Sequence, residues 1–504
     1  MCLITNWQRE MGIIARQGIK RSIISYIGVV IGMISTIFIY PLARDAYGYV
    51  QFLISTSTIL ALVLSFGSTG LIVRYFPEFK KDKGYLGIIF SFIFIMIIIV
   101  SGILILLKAP IYQFLEVRDF NLDLLNQNLL IIFSLAVFLI LIQAFIYQAA
   151  NYKRIVIPSI IHELSYKILL PVLILLYYFK NINIQEIAYI IVVFYIFSFI
   201  LNAIYVYTLG GISIKSKGFW DLPSKKIKEM AQYMGFSGLN VLSANITTRI
   251  DTIMIPMLIS TAANGTYAIF LFMSNTIAIP MNSLNQIASP VVSDSMKNND
   301  YNNIDNIYKK TSLNSFITGA FIFIIIWTIL PDLLHIMPMN KEIKPYLYVF
   351  FFLGIAKLID MLTSVNTYII IYSKYYKYNL IFLIFLALLN LILNYYLINI
   401  YGITGAGIAT MISIILYNLI KLVFIKRKFN LFPFTKSTIV IILIAIITFA
   451  AGIFIPSTDI VIINLIYKPV IIIIVYYLLI KFFKLKADII GFGENAIKKY
   501  LPFK

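Results

Sequence analysis

Fourteen apolar runs, each long enough to cross a bilayer, follow one another along this chain. A spanning helix needs ~20 mostly apolar residues, because the hydrocarbon core is ~30 Å thick and each helical residue rises ~1.5 Å. The runs cover residues 17–41, 49–72, 85–107, 125–149, 157–179, 187–208, 233–259, 266–292, 311–334, 345–372, 379–399, 403–425, 438–456 and 463–482. Only 12% of the residues are charged and 61% are hydrophobic, whereas a soluble domain carries about 25% charged residues. The expectation is an all-α polytopic membrane protein.

The cations set its orientation. Cytoplasmic connections retain Lys and Arg, and acidic residues hardly enter the rule. Of the 41 Lys and Arg, thirty fall at the two ends and in every second connection, and six fall in the alternate ones. The last five (Lys167, Arg249, Lys357, Lys421 and Lys468) lie within the runs. Both termini are therefore expected in the cytoplasm, and the number of spans is expected to be even. The net charge of +20 does not point to nucleic acid, because the basic residues form short clusters at run ends instead of one face of a soluble domain. Topology and the anionic inner leaflet account for them. Cys2 is the single cysteine, which excludes an internal disulfide or a cysteine metal cluster. The first apolar run is too long for a cleavable signal, and residues 7–21 before it are expected to lie along the inner surface.

The longest polar stretch, 210–232, is too short for an independent core. A faint duplication surrounds it. Gly48 and Tyr49-Val50-Gln51-Phe52 follow the first run, while Gly265 and Tyr267-Ala268-Ile269-Phe270 follow the seventh. Lys153 after the fourth run is matched by Lys377 after the tenth. Six runs separate the copies, so the halves enter the membrane in the same direction, as in parallel-repeat transporters. The expected domains are a six-helix bundle over 1–208, a cytoplasmic linker over 209–232, and a second six-helix bundle over 233–425. Two further helices and a basic tail occupy 426–504.

Four short motifs carry a family resemblance. Pro41-Leu42-Ala43-Arg44-Asp45-Ala46-Tyr47-Gly48-Tyr49 resembles the turn after the first helix of the Wzx-type polysaccharide flippases, with Asp45-Ala46 where that family often has Leu-Gly. Phe66-Gly67-Ser68-Thr69-Gly70 is similar to the end of their second helix. Arg249-Ile250-Asp251-Thr252-Ile253-Met254-Ile255, followed by Gly265-Thr266-Tyr267, resembles their helix-seven signature, and Tyr401-Gly402-Ile403-Thr404-Gly405-Ala406-Gly407 resembles their turn near helix twelve. These flippases belong to the multidrug/oligosaccharidyl-lipid/polysaccharide (MOP) exporter superfamily. The resemblance implies two six-helix bundles in a V around a cavity that moves an undecaprenyl-pyrophosphate-linked oligosaccharide to the outer leaflet. It implies the bacterial inner membrane, surface polysaccharides such as O-antigen or capsule, and a polymerase and chain-length regulator as downstream partners.

The deep charges can be weighed without it. An ionisable group inside a membrane costs at least ~2.5–3.5 kcal/mol on insertion scales and normally faces a cavity or a partner. Arg249 and Asp251 lie in the seventh run, and Lys357 and Asp360, three residues apart, lie in the tenth. Two readings stay open: a neutral ion-pair cluster joining these helices, or a cavity lining in which Arg249 and Lys357 meet phosphate or sugar acid groups. Arginine suits phosphate through its planar, paired donors. In the fifth run Glu163 and Lys167 have the i, i+4 spacing of an internal salt bridge. Neighbouring His162 titrates near neutrality in water, and with Asp251 it is a candidate for proton coupling. Gly28 and Gly32 have the spacing of close helix packing.

The sequence holds no nucleophile–base pair, zinc spacing or Walker loop, so neither an enzyme nor a cofactor is expected. A cation-coupled drug antiporter of the same superfamily is one alternative, although the first run carries no acid. A membrane glycosyltransferase or polymerase is another, although every outer connection is short. A pseudo-twofold monomer would form a complete pathway.

Overall fold

The computed structural model describes residues 17, 20–21, 23–79, 85–210, 222–483 and 485. Within them every regular element is helical, as a chain in lipid requires when each backbone polar group must be satisfied inside its own segment. Most of the 7–21 segment, the middle of the linker (211–221), Lys80, Lys81, Lys83 and the tail beyond 485 lie outside the described residues.

Helix α1 (23–34) runs through a π-turn, Ser35–Ile39, and a 3-10 turn, Tyr40–Ala43, into α2 (Arg44–Ser65). Ala43 leaves helical dihedrals (φ −141°, ψ 69°), so the 43-residue stretch Ile23–Ser65 breaks there. Then follow α3 (Tyr85–Leu106), α4 (Asp123–Asn151), α5 (Ser165–Tyr178), α6 (Ile184–Thr208) and α7 (Ser224–Leu258). The second half contains α8 (Thr261–Ile277), α9 (Ile279–Lys297), α10 (Tyr301–Ile336), α11 (Tyr348–Thr363), α12 (Asn366–Ile371), α13 (Tyr376–Tyr401) and α14 (Ile403–Phe429). Helices α15 (Lys436–Ile453) and α16 (Val461–Phe482) complete it.

Among the described residues ten helices are long and apolar enough to span, or twelve if the bent pairs α8/α9 (47°) and Asn340–Tyr346/α11 (45°) each count once. Fourteen runs were expected. The difference lies in Ile23–Ser65, which holds two runs, and in α7, a 35-residue helix that is not among those ten. Each run nevertheless has a helical counterpart.

Local signals set the ends. Asn183 accepts from the Glu186 amide while the Glu186 carboxylate accepts from the Asn183 amide, a reciprocal cap that starts α6. Lys426, Arg427 and Lys428 occupy the last turn of α14, where the helix dipole favours cations, and left-handed Asn430 ends it.

Cα proximity divides the chain into two compact units, up to Gly265 and from Thr266. In the first, α2 packs against α4 and α7, and α4 against α6. Its core joins Leu64, Leu71 and Ile72 to Ile88, Ile140 and Met234. Two glycine crossings bring α2 close to its neighbours. A Cβ on Gly48 would stand 1.8 Å from the Thr261 carbonyl oxygen, and one on Gly265 would stand 2.0 Å from that of Arg44. At the other end of α2, Gly67 (φ +81°) sits against Met234 and Gly238, where a Cβ would meet backbone at 2.5 Å. Only glycine fits both the dihedral and the space. In the second unit, α14 packs against α11 and α13, while α10 carries α15 and α16.

Candidate functional site

In the first unit the candidate side chains lie on the turn before α5, on α5 and α6, and on α7. A π-turn, Ile160–Leu164, precedes α5 and holds His162 and Glu163. His162 Nδ1 lies 3.5 Å from the Ser198 hydroxyl, and its ring meets the edge of Tyr195 at 5.5 Å. Tyr195 in turn contacts Tyr166, with centroids 6.4 Å apart. Arg249 on α7 is half-buried within electrostatic reach of the Tyr166 and Tyr195 phenols. The Tyr166 hydroxyl is buried, and among the described residues it has no hydrogen-bond partner. Asp251, two residues beyond Arg249, is 4% exposed, and Thr252 donates to the Arg249 carbonyl at 2.8 Å.

The expected Glu163–Lys167 salt bridge does not form. Glu163 pairs instead with Arg21 at 3.7 Å, both side chains being exposed. The physical reason is the π-turn, whose i→i+5 bonding moves residues four apart out of line. Lys167 lies along Gly28 of α1, where a Cβ would stand 2.9 Å from its Nζ. That neighbour is the far end of a flexible side chain and not the backbone of a packed helix.

In the second unit Asp360 belongs to a buried relay. Helix α11 stops at Thr363, and Ser364 is left-handed (φ 35°) before α12 begins. Across this break Lys421 donates to Thr367 at 2.5 Å, and Thr367 to Asn366 at 3.2 Å. Asn366 donates to Asn418 at 2.9 Å, and Asn418 to Asp360 at 3.2 Å. Lys421 is 1% exposed and also donates to the Tyr417 hydroxyl at 3.2 Å. The donors all point one way, from ammonium to carboxylate. Lys357 is half-buried one turn before Asp360 on α11.

Sequence reasoning placed Lys421 and Lys468 inside helices but gave them no role. The neutral cluster considered from Arg249, Asp251, Lys357 and Asp360 therefore omitted them. It omitted Asp332 as well, which receives a 2.5 Å bond from Lys468. Both members of that pair are buried, and Asn464 also donates to Asp332 at 2.7 Å. The 136-residue separation hid the pair. Tyr166 and Tyr195 were hidden too, because tyrosine is abundant at membrane interfaces. Among the described residues no group of three or more His, Cys, Asp or Glu side chains converges as metal ligands.

No family model and no curated protein matches the sequence. Among solved structures the chain resembles the lipid II flippase MurJ in an inward closed conformation. That match has a TM-score of 0.68 and 17% identity over 92% of this chain and 98% of that one. A mutant of the Vibrio cholerae MATE transporter VcmN matches with a TM-score of 0.50 and 14% identity, over 83% of this chain and 98% of that one. The likeness is one of fold: the chain shares the all-helical, polytopic fold of that flippase and that transporter.

Proposed function

We propose that this chain is a flippase of the bacterial inner membrane. It moves an undecaprenyl-pyrophosphate-linked oligosaccharide from the cytoplasmic to the outer leaflet by alternating access, supplying surface polysaccharide synthesis. The observation that carries this reading is Arg249, a half-buried guanidinium set among phenols inside this fold. A transported pyrophosphate is the kind of dianionic group that such a fork binds in pairs. Lys167 and Lys357 are further cationic contacts in this proposal, and Asp251, Asp360, Glu163 and His162 are the polar groups that would tune them. The translocated unit passes to a polymerase and chain-length regulator, and the flippase acts as a monomer with both termini cytoplasmic.

The test compares the leaflet distribution of a labelled undecaprenyl-linked glycan in cells with and without the chain. Accumulation on the cytoplasmic side in its absence, reversed by re-expression, is expected. An unchanged distribution accompanied by altered efflux of cationic drugs would favour the antiporter alternative, which buried Asp251 supports.

A further inference from the structure

The first unit contains a cavity of about 470 Å³ between α2, α4 and α7, distinct from the charged cluster. Its polar lining includes Thr69, Gln143, Tyr147, Tyr233, Ser237 and Asn245, and no charged side chain lines it. The volume falls within the ~300–1,000 Å³ of typical small-molecule sites. Gly67, Gly70 and Gly238 also line it, so a ligand there would reach backbone.

The hydrogen-bonding capacity of this lining is open. Among the described residues the side chains of Thr69, Gln143, Tyr147 and Ser237 make no hydrogen bond, nor does the Tyr233 hydroxyl. Asn245 spends one amide hydrogen on the Val241 carbonyl at 2.9 Å and keeps its oxygen free. Asn245 and Arg249 are four residues apart on the continuous helix α7, so they share a face about 6 Å apart along its axis. Through Asn245 the cavity lining comes within one helical turn of the proposed pyrophosphate contact.

We infer that this cavity is the glycan subsite, and that it selects uncharged, hydroxyl- and amide-rich sugars over uronic or other acidic ones. This rests on the flippase reading above. Hydroxyl and acetamido groups find matching donors and acceptors in Gln143, Asn245, Thr69 and Ser237, and the Tyr147 and Tyr233 rings supply apolar faces for the sugar ring. A carboxylate placed there would give up hydration with no counter-charge among the lining side chains, since Arg74 is spent on the Tyr233 ring, 5.9 Å from its centroid, and does not line the cavity; that loss is costly. The substrate is accordingly read by two adjacent environments: a cation for its pyrophosphate and a neutral polar cavity for its first sugars.

The experiment uses the full chain in nanodiscs and three probes: polyprenyl pyrophosphate alone, the same lipid carrying a neutral N-acetylhexosamine disaccharide, and its counterpart ending in a uronic acid. The neutral glycolipid is expected to bind about tenfold more tightly than the acidic one, the scale of one or two net hydrogen bonds. Gln143→Leu should remove most of that preference while leaving polyprenyl pyrophosphate binding unchanged, and Gln143→Lys should shift preference toward the acidic glycolipid. Equal or tighter binding of the acidic glycolipid to the unaltered protein overturns the assignment, whatever the variants do. Failure of polyprenyl pyrophosphate itself to bind removes the flippase reading and this inference with it. Binding of that lipid with no sugar preference removes this inference alone.

Discussion

Two lysines buried in the second unit, Lys421 and Lys468, show two ways of keeping an ammonium inside a bundle. Lys468 meets Asp332 directly, with Asn464 satisfying the other carboxylate oxygen. Lys421 reaches Asp360 only through Thr367, Asn366 and Asn418. Removing one member of a buried pair leaves the other charge uncompensated, at a cost of ~3–5 kcal/mol. Lys468→Met should therefore destabilise the protein on that scale in detergent unfolding, and adding Asp332→Asn should recover much of the loss. If the single and double variants unfold alike, the pair contributes nothing. Arg249 has a different character, since its neighbours are phenols and it is half-buried. Arg249→Ala and Lys357→Ala are expected to abolish glycan export with near-normal protein abundance, read by surface-polysaccharide staining and immunoblot. Loss of both proteins from the membrane would make these residues structural.

At the scale of elements, the contacts of α2 with the start of α8 and then with α7 are graded along its length. Gly48 and Gly265 close one end, Ser55 and Thr252 share a 2.8 Å hydrogen bond midway, and Gly67 crosses Gly238 further on. Beyond the apolar run, in the projecting start of α7, Lys226 bridges Glu78 at 2.7 Å and Glu229 at 3.2 Å. Tyr75 donates to Glu229 at 3.1 Å. Hydrogen bonds from Lys226 and then Tyr75 hold the Glu229 carboxyl below its ordinary range. A lowered folded-state pKa means that the contact is fully present above the ordinary glutamate value and is lost only as pH falls through the lowered one. A spin label at Ser224→Cys, in a Cys2→Ser background, should stay immobile through mild acidification and loosen below the usual carboxylate range. With Glu229→Gln and Glu78→Gln together it should be mobile throughout; an immobile label there would show that the latch does not hold α7.

At the scale of the whole molecule, the cation pattern makes an independent claim. Reporter fusions after Ser216 and after Lys504 should both be active only as cytoplasmic reporters, and a periplasmic signal from either would overturn the orientation. The α2 seam offers a test of movement. Arg44 and Gly265, like Gly48 and Thr261, are in backbone contact, which places Ala43 and Ser260 beside a tight crossing. Ala43→Cys with Ser260→Cys in the Cys2→Ser background should crosslink and arrest transport, with reduction restoring it. Crosslinking that leaves transport intact would mean that this crossing need not open.

Much of the architecture follows from periodic properties that one residue type after another reports. A long apolar run has no option in lipid but a helix, so all fourteen runs recur as helical segments. Gly48 and Gly265, noticed as repeat markers, prove to be the two sides of one crossing, because a repeated small residue is what close backbone packing demands. The sites were less legible. Glu163–Lys167 looked like a pair because the sequence gives spacing and not helix type; the π-turn that separates them is decided by packing. Asp332 and Lys468, Asp360 and Lys421, and the cavity joining Thr69, Gln143 and Ser237 depend on which helices become neighbours. By itself the sequence determined that the chain spans a membrane as helices and where each helix lies, because burial of apolar length and backbone satisfaction are local requirements. Only the tertiary structure decided which polar groups meet, because partners from separate helices share no spacing rule along the chain.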